Sequence, residues 1–129
     1  MMDLDEDVII SENEIHYWNF CDKCIRTFQI ENSTFFIAKD VSVSLGYKNA
    51  WNLTQSLDSD EISKCTVPTD GGLQKMVIIT EPGLYHAIFI SRKKTAKDFR
   101  RWVTNEILPV LRKAGNYPFF DSNHFTNEV

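Results

Sequence analysis

The sequence predicts an α+β fold in a single compact domain: two small antiparallel hairpins, each followed by helices, in the order ββααββαα. Two pairs of β-rich runs are each separated by turn-forming residues, which is typical of hairpins, and segments of helical periodicity follow each pair. The 129 residues, 43% hydrophobic and 12% aromatic, are enough for one domain with a buried core. This composition excludes an intrinsically disordered chain, and the absence of an apolar run of about 18 residues excludes a membrane span.

The first hairpin is predicted over Ile25–Ile30 and Phe35–Ile37, which four turn-forming residues separate. A short helix over Lys39–Leu45 follows, and Gly46 is expected to end it as a C-cap. Asn49–Leu57 is predicted to form a second short helix, because its apolar residues recur at helical spacing.

The second hairpin is predicted over Lys64–Val67 and Lys75–Thr80, since the intervening turn contains two glycines that permit a positive φ. Thr80 is a favourable N-cap for the helix that comes next. Pro82 is compatible with the first turn of that helix, where its missing N–H would have no partner.

The longest helical segment is predicted over Thr95–Lys113. Pro109 should kink or break this helix near Leu108, because proline lacks the N–H that would bond to the preceding turn. Gly115 is expected to end it.

The net charge of −4 hides a strong segregation of charge along the chain. Met1–Asp22 contains seven acidic residues and no Lys or Arg, whereas Leu84–Gly115 contains eight basic residues and two acidic ones. Since local charge decides what a surface attracts, an acidic total does not exclude a nucleic-acid partner.

A helical projection at about 100° per residue separates the apolar side chains of the long helix from its basic ones. The apolar stripe contains Ala96, Phe99, Trp102, Val103, Ile107 and Val110. The basic face contains Lys93, Lys94, Lys97, Arg100 and Arg101. Five cations on one face suit a phosphate backbone and predict a salt slope of roughly −4.5 on a double-logarithmic plot. A solvated charged face remains the alternative.

A second candidate for nucleic-acid contact lies at the start of the predicted second short helix. Lys48 could reach a phosphate, and Asn49 and Asn52 could pair with adenine edges. Capping of the helix by Asn49 is the alternative interpretation.

Three cysteines without a secretion signal predict reduced thiols in an intracellular protein. Cys21 and Cys24 form a CxxC pair, and a zinc site would need His16 and Cys65 to complete it. Ordinary thiols are the preferred interpretation, and no metal or cofactor is expected.

Catalysis is not expected either. The sequence contains no GxSxG, P-loop or GxGxxG pattern. His86 is interpreted as a surface residue, and the acidic run Asp58–Glu61 as an exposed loop without EF-hand spacing. We therefore predict no catalytic residues and a protein that is not an enzyme.

Several motifs, in order along the chain, resemble the BRO-N domain, the N-terminal domain of baculovirus-repeated-ORF proteins and prophage antirepressors. They are Phe35–Val41 with Leu45–Asn49, Thr80–Tyr85 with Ser91–Lys94, and Ala96–Val103 leading into Glu106–Pro109 and Arg112–Tyr117. The resemblance implies DNA binding and viral or phage gene regulation, and it implies that the basic helix residues occupy the family's basic positions. It supplies no catalytic residues.

Composition predicts an acidic flexible tail (1–15), and the resemblance implies a BRO-N-like domain (16–117) followed by a C-terminal tail or the start of a linker (118–129). The expected partner is DNA, bound modestly and in a salt-sensitive way, and removal of Met1–Asn13 is expected to strengthen binding. A protein-binding antirepressor or host-factor antagonist that acts without DNA is the alternative, with a repressor or host regulatory protein as its partner. No membrane partner is expected, and the sequence is compatible with a homo-oligomer. The expected location is the bacterial cytoplasm for a phage protein, or the host nucleus or cytoplasm for an insect-virus protein.

Overall fold

The computed structural model describes residues 8–20 and 22–115, and its helices and strands follow the order βββααββααα. The strands are β1 (His16–Phe20), β2 (Lys23–Ile30), β3 (Ser33–Ile37), β4 (Ile62–Thr69) and β5 (Gly72–Thr80). The α-helices are α1 (Ala38–Ser44), α2 (Ala50–Gln55), α3 (Glu81–Ile90), α4 (Lys94–Trp102) and α5 (Leu108–Ala114). The predicted α+β class is confirmed. None of the described helices is both long and apolar enough to cross a bilayer.

The five strands form one antiparallel sheet in the order β1-β2-β3-β5-β4. Both predicted hairpins are present, and the pairing of Phe36 in β3 with Ile79 in β5 joins them into this sheet. The sequence prediction missed β1, in which Trp18 pairs with Ile25 of β2. As an edge strand whose side chains are mostly exposed, β1 lacks the alternation of apolar and polar residues that identifies a strand.

The two faces of the sheet carry two separate apolar clusters, because successive side chains of a strand point to opposite sides. Phe36 and Ile79 lie in the first cluster, which the helices cover with residues such as Leu84 and Ala96. The second cluster, on the opposite face, has the following buried members: Ile10, Ile15, Phe28, Phe35, Ile37, Cys65, Val67 and Ile78.

An N-terminal strap, Val8–Ile15, covers this second cluster. The backbone N–H of Thr66 donates to the carbonyl of Val8 at 3.0 Å, and that of Ile10 donates to the carbonyl of Thr66 at 2.9 Å. Ile10 and Ile15 are 3% and 8% exposed. The prediction of a flexible tail over 1–15 is therefore wrong for residues 8–15. These residues form the strap, and its isoleucines shield an apolar sheet face from water. Met1–Asp7 and the expected C-terminal segment 118–129 lie outside the described residues.

The predicted N-cap of α3 is confirmed, and so is the capping interpretation at α2. The side-chain oxygen of Thr80 accepts a hydrogen bond from the backbone N–H of Gly83 at 3.1 Å. Asn49 accepts one from the backbone N–H of Asn52 at 2.8 Å.

The predicted long helix consists of α4, a π-helical turn over Val103–Ile107, and α5. The π turn lies directly before Leu108 and Pro109, where the sequence predicts a kink or break. A helix can absorb the lost hydrogen bond and the bulk of a proline ring by such local widening. Gly115 ends α5 with a left-handed φ of +82°, as predicted.

Candidate nucleic-acid interface

The two segments that carry the predicted basic and polar clusters are joined by hydrogen bonds. The hydroxyl of Ser91, between α3 and α4, donates to the carbonyl of Leu45 at 2.8 Å and accepts from the backbone N–H of Lys93 at 3.2 Å. The hydroxyl of Tyr47 donates to the carbonyl of Ala87 at 3.2 Å, and burial raises the pKa of Tyr47. The α1–α2 loop and the α3–α4 junction are therefore held in a fixed relation.

Gly46 gives the α1–α2 loop a backbone turn that other residues rarely adopt, because its φ of +76° is left-handed. A Cβ at this position would meet Cδ of Lys93 at 3.6 Å, an ordinary van der Waals distance, so the Lys93 side chain lies beside the loop. A cleft of about 250 Å³ runs between the loop and the junction, lined by Gly46, Tyr47 and Arg92 among others. The fold thus brings the Lys48 loop next to the basic start of α4. We call Lys48, Lys93, Lys94, Lys97 and Arg101 together the basic surface.

On α4, two side chains of the predicted apolar stripe pack inwards, whereas Trp102 of the same stripe is 44% exposed. Ala96 is fully buried, and Phe99 packs edge-on against Phe20 at a ring separation of 5.3 Å. Lys97 and Arg101 are exposed on the other side. Lys94 is exposed too and pairs with Asp98 at 3.0 Å, an exposed i, i+4 pair worth only about 0.3–0.5 kcal/mol. Such a weak pair leaves Lys94 available to a phosphate.

Lys93 precedes the helix rather than belonging to it. As the N-cap residue of α4 it has an extended backbone (φ −67°, ψ 140°), so the helical projection does not apply to its side chain. Its side chain lies beside Gly46, and therefore between the loop and the helix.

Arg100 has an internal partner that the projection did not predict. Its Nη1 donates to the carbonyl of Ile88 at 2.6 Å and to that of Ser91 at 2.8 Å. The guanidinium therefore satisfies carbonyls at the C-terminal end of α3, where a cation also complements the helix dipole. The basic surface retains four of the five predicted cations of this helix face.

At α2, the capping role of Asn49 occupies its side-chain carbonyl, so that atom is not free for a base edge. Asn52 is half-buried and Lys48 is exposed. Sequence reasoning missed Trp51, which is 67% exposed at the rim of a cleft of about 380 Å³ that Gln55 and Lys64 also line. The signal was present, because an aromatic residue on a polar helix start provides a flat surface on which a base can stack.

The described cysteines do not lie near one another. Cys24 is exposed on β2, whereas Cys65 is buried in the second apolar cluster on β4. The sheet order separates these strands by three strand spacings, about 14 Å. A zinc ion could not be bound by Cys24 and Cys65 together, so the zinc site considered from the sequence is wrong. Cys21 lies outside the described residues.

Fold and surface together define a single α+β domain. It is built on a five-stranded antiparallel sheet and carries a group of exposed basic side chains beside its helices. The chain belongs to the BRO family: the model of that family's N-terminal domain matches residues 24–109. The resemblance seen in the sequence motifs is confirmed.

Three curated relatives are similar to this chain. It is 36% identical to an uncharacterized protein of Haemophilus influenzae over 110 residues, which are 82% of this chain and 55% of the relative. It is 34% and 32% identical to two proteins of Invertebrate iridescent virus 6 that are named for a Bro-N domain, 289L and 201R. These matches span 67% and 72% of this chain, and 25% and 27% of the viral proteins. The chain thus spans about half the length of the first relative and about a quarter of the others. No solved structure matches it.

Proposed function

We propose that this chain is a DNA-binding regulatory domain of a viral or phage BRO or antirepressor-like protein, and that its basic surface contacts DNA phosphates. Membership of the BRO family supports the regulatory, DNA-binding class. The observation that carries the proposal is the exposure of Lys97 and Arg101 on α4, opposite the buried Ala96. On this proposal the protein acts where DNA is: the bacterial cytoplasm, or the nucleus or cytoplasm of an insect host.

The number of cations sets the expected salt dependence, since each phosphate contact contributes about −0.9 to the slope of log K against log salt. The four cations at α4 give a slope of about −3.6, and Lys48 would bring it to about −4.5. With the smaller slope, raising the salt from about 50 to 200 mM weakens binding about 150-fold.

The test is duplex-DNA binding by the double variant Lys97→Ala, Arg101→Ala at several salt concentrations. Loss of two contacts reduces the slope by about 1.8, so the same rise in salt weakens binding only about 12-fold. The matched control replaces two other exposed lysines, Lys39→Ala and Lys75→Ala, and should keep the wild-type slope. An unchanged slope in the α4 variant would refute this interface. Absence of DNA binding by the wild-type domain at low salt would refute the function for this domain.

A protein partner is the second candidate function, and an exposed aromatic pair favours it. Tyr85 and Phe89, one helical turn apart on α3, are 43% and 50% exposed, and aromatic residues are enriched in protein interfaces. A pull-down from nuclease-treated host lysate compares wild type with Phe89→Ala. A partner that survives nuclease and is lost in the variant supports this candidate, whereas loss of every partner on nuclease treatment contradicts it.

A further inference from the structure

A cluster of metal-ligating side chains lies apart from the basic surface, where the turn before β4 meets α3. Asp58, Glu61 and His86 each bring one ligand atom to within 4.8 Å of the other two. Nδ1 of His86 lies 2.9 Å from Oε1 of Glu61, and these side chains are 33% and 13% exposed. An imidazole thus shares one small volume with two carboxylates that lie 25 or more residues before it in the sequence.

The local fold holds two of these groups in place. Asp58 caps a single 3-10 turn that ends at Glu61, and its side chain accepts a hydrogen bond from the backbone N–H of Glu61. In return, the backbone N–H of Asp58 donates to Oε1 of Glu61 at 2.8 Å. Gly83, one turn before His86, lets this turn pack directly on α3, because a Cβ there would lie 3.1 Å from Cβ of Glu61. The close approach brings Glu61 within reach of the imidazole. Asp58 is exposed, and its carboxylate has a second oxygen beside the one that caps the turn.

The electrostatic surroundings favour a cation. A cleft of about 470 Å³ opens beside the cluster, and its lining includes Asp58, Asp60, Glu61 and Glu81 but no Lys or Arg. Burial alone would raise the pKa of Glu61, but its hydrogen bonds with His86 and with the backbone of Asp58 outweigh burial and lower the pKa.

We propose that Asp58, Glu61 and His86 bind a divalent first-row transition-metal ion of the zinc or cobalt type. The imidazole ligand favours this class over Mg²⁺ and Ca²⁺, which prefer oxygen ligands alone. Zinc binds nitrogen and oxygen at about 2.0–2.2 Å, so tetrahedral ligand atoms lie about 3.3 Å apart. The three ligand atoms lie within 4.8 Å of one another, so binding draws them together by up to about 1.5 Å.

The ion replaces a hydrogen bond that the cluster now contains. It takes the place of the proton between Nδ1 of His86 and Oε1 of Glu61, and the ligating imidazole then carries its proton on Nε2. A neutral ring therefore changes tautomer on binding, whereas an imidazolium releases one proton to solvent. With three protein ligands, water from the acidic cleft fills the remaining coordination positions. This inference does not depend on DNA binding.

The test is a titration of the full chain with Co²⁺, followed by calorimetry and by visible absorption. One equivalent should bind and give ligand-field bands without a sulfur-to-cobalt charge-transfer band. His86→Ala and Asp58→Asn should each weaken binding at least about tenfold, the lower limit seen when even outer-shell partners are lost. Asp58→Asn keeps a residue that caps the 3-10 turn, so it tests ligation in a folded protein. His16→Ala, which removes a histidine outside the cluster, should bind like wild type.

Three outcomes would overturn the proposal: no saturable binding at millimolar Co²⁺, equal affinity in wild type and both cluster variants, or a charge-transfer band that shows thiolate ligation. If His86→Ala loses its circular-dichroism signature, Asp58→Asn alone decides between ligation and no ligation.

Discussion

The N-terminal strap makes a sharp prediction, because two adjacent isoleucines differ almost completely in burial. Ile10 is 3% exposed and packs in the second apolar cluster, whereas Ile9 is 58% exposed. Replacing either by alanine removes the same atoms and leaves the backbone hydrogen bonds between the strap and Thr66 in place. The pair of variants therefore isolates the burial of one side chain from everything else that the strap contributes.

The expected magnitudes differ severalfold. Truncating a buried isoleucine to alanine lowers the free energy of unfolding by about 2–5 kcal/mol, through lost transfer from water and the cavity left behind. Ile10 should fall in the lower half of that range, since a strap near the chain terminus relaxes into a cavity more easily than a central strand does. A mostly exposed position such as Ile9 should change stability by no more than about 0.5 kcal/mol.

Urea denaturation followed by circular dichroism measures both differences. The midpoint for Ile10→Ala should fall clearly below those of Ile9→Ala and wild type, with an unchanged m-value. Equal midpoints for the two variants would show that the strap does not bury Ile10 in solution, and the assignment of a covered second sheet face would then fail.

Two further predictions concern single side chains. Arg100→Met should lower the free energy of unfolding by about 1.5–3 kcal/mol and leave the DNA salt slope unchanged, because its guanidinium bonds to backbone carbonyls at the end of α3. Arg101→Met should do the reverse, reducing the slope by about 0.9 with little effect on stability; urea melts and salt titrations of the two variants separate these roles. Burial raises the pKa of Cys65 to about 11, so at pH 8 this thiol should react with a disulfide reagent only after unfolding, whereas the exposed Cys24 reacts in the native protein. Peptide mapping by mass spectrometry after brief labelling measures the modification of each thiol. Equal labelling of Cys24 and Cys65 in the native protein would contradict the prediction.

Local chemistry explains which elements could be predicted from the sequence. Thr80 and Asn49 cap their helices through contacts three residues away, and Gly115 ends α5 by its own backbone preference. These interactions need no tertiary context, so residue type and spacing were sufficient. The apolar stripe of α4 could be predicted in the same way, because the spacing of its residues places Ala96 on the helix face that packs against the core.

The missed features depend on contacts between segments distant in sequence. The sequence places Arg100 on the basic face because a helical projection gives a direction but not the carbonyls of α3 that lie in that direction. His86 was interpreted as a surface residue because Glu61, its partner, lies 25 residues away. Val8–Ile10 was assigned to a tail because acidic neighbours dominate its composition, while its partner Thr66 lies on β4.

The strap also changes how masking of the basic surface by the acidic N-terminus has to be tested. Deleting Met1–Asn13 would remove most of the strap and uncover the second apolar cluster, so altered DNA binding would then report damage to the fold. Residues 8–15 are held on the sheet face opposite α1, α3 and α4, so the acidic residues of the strap lie away from the basic surface. Deletion of Met1–Asp7 removes four acidic residues and keeps the strap. If those residues mask the surface, DNA affinity should rise at about 10 mM salt and rise less at about 150 mM, where the screening length falls from about 30 to 8 Å. Equal affinity of the deleted and intact chains at the lower salt concentration would show that the N-terminal acids have no masking role.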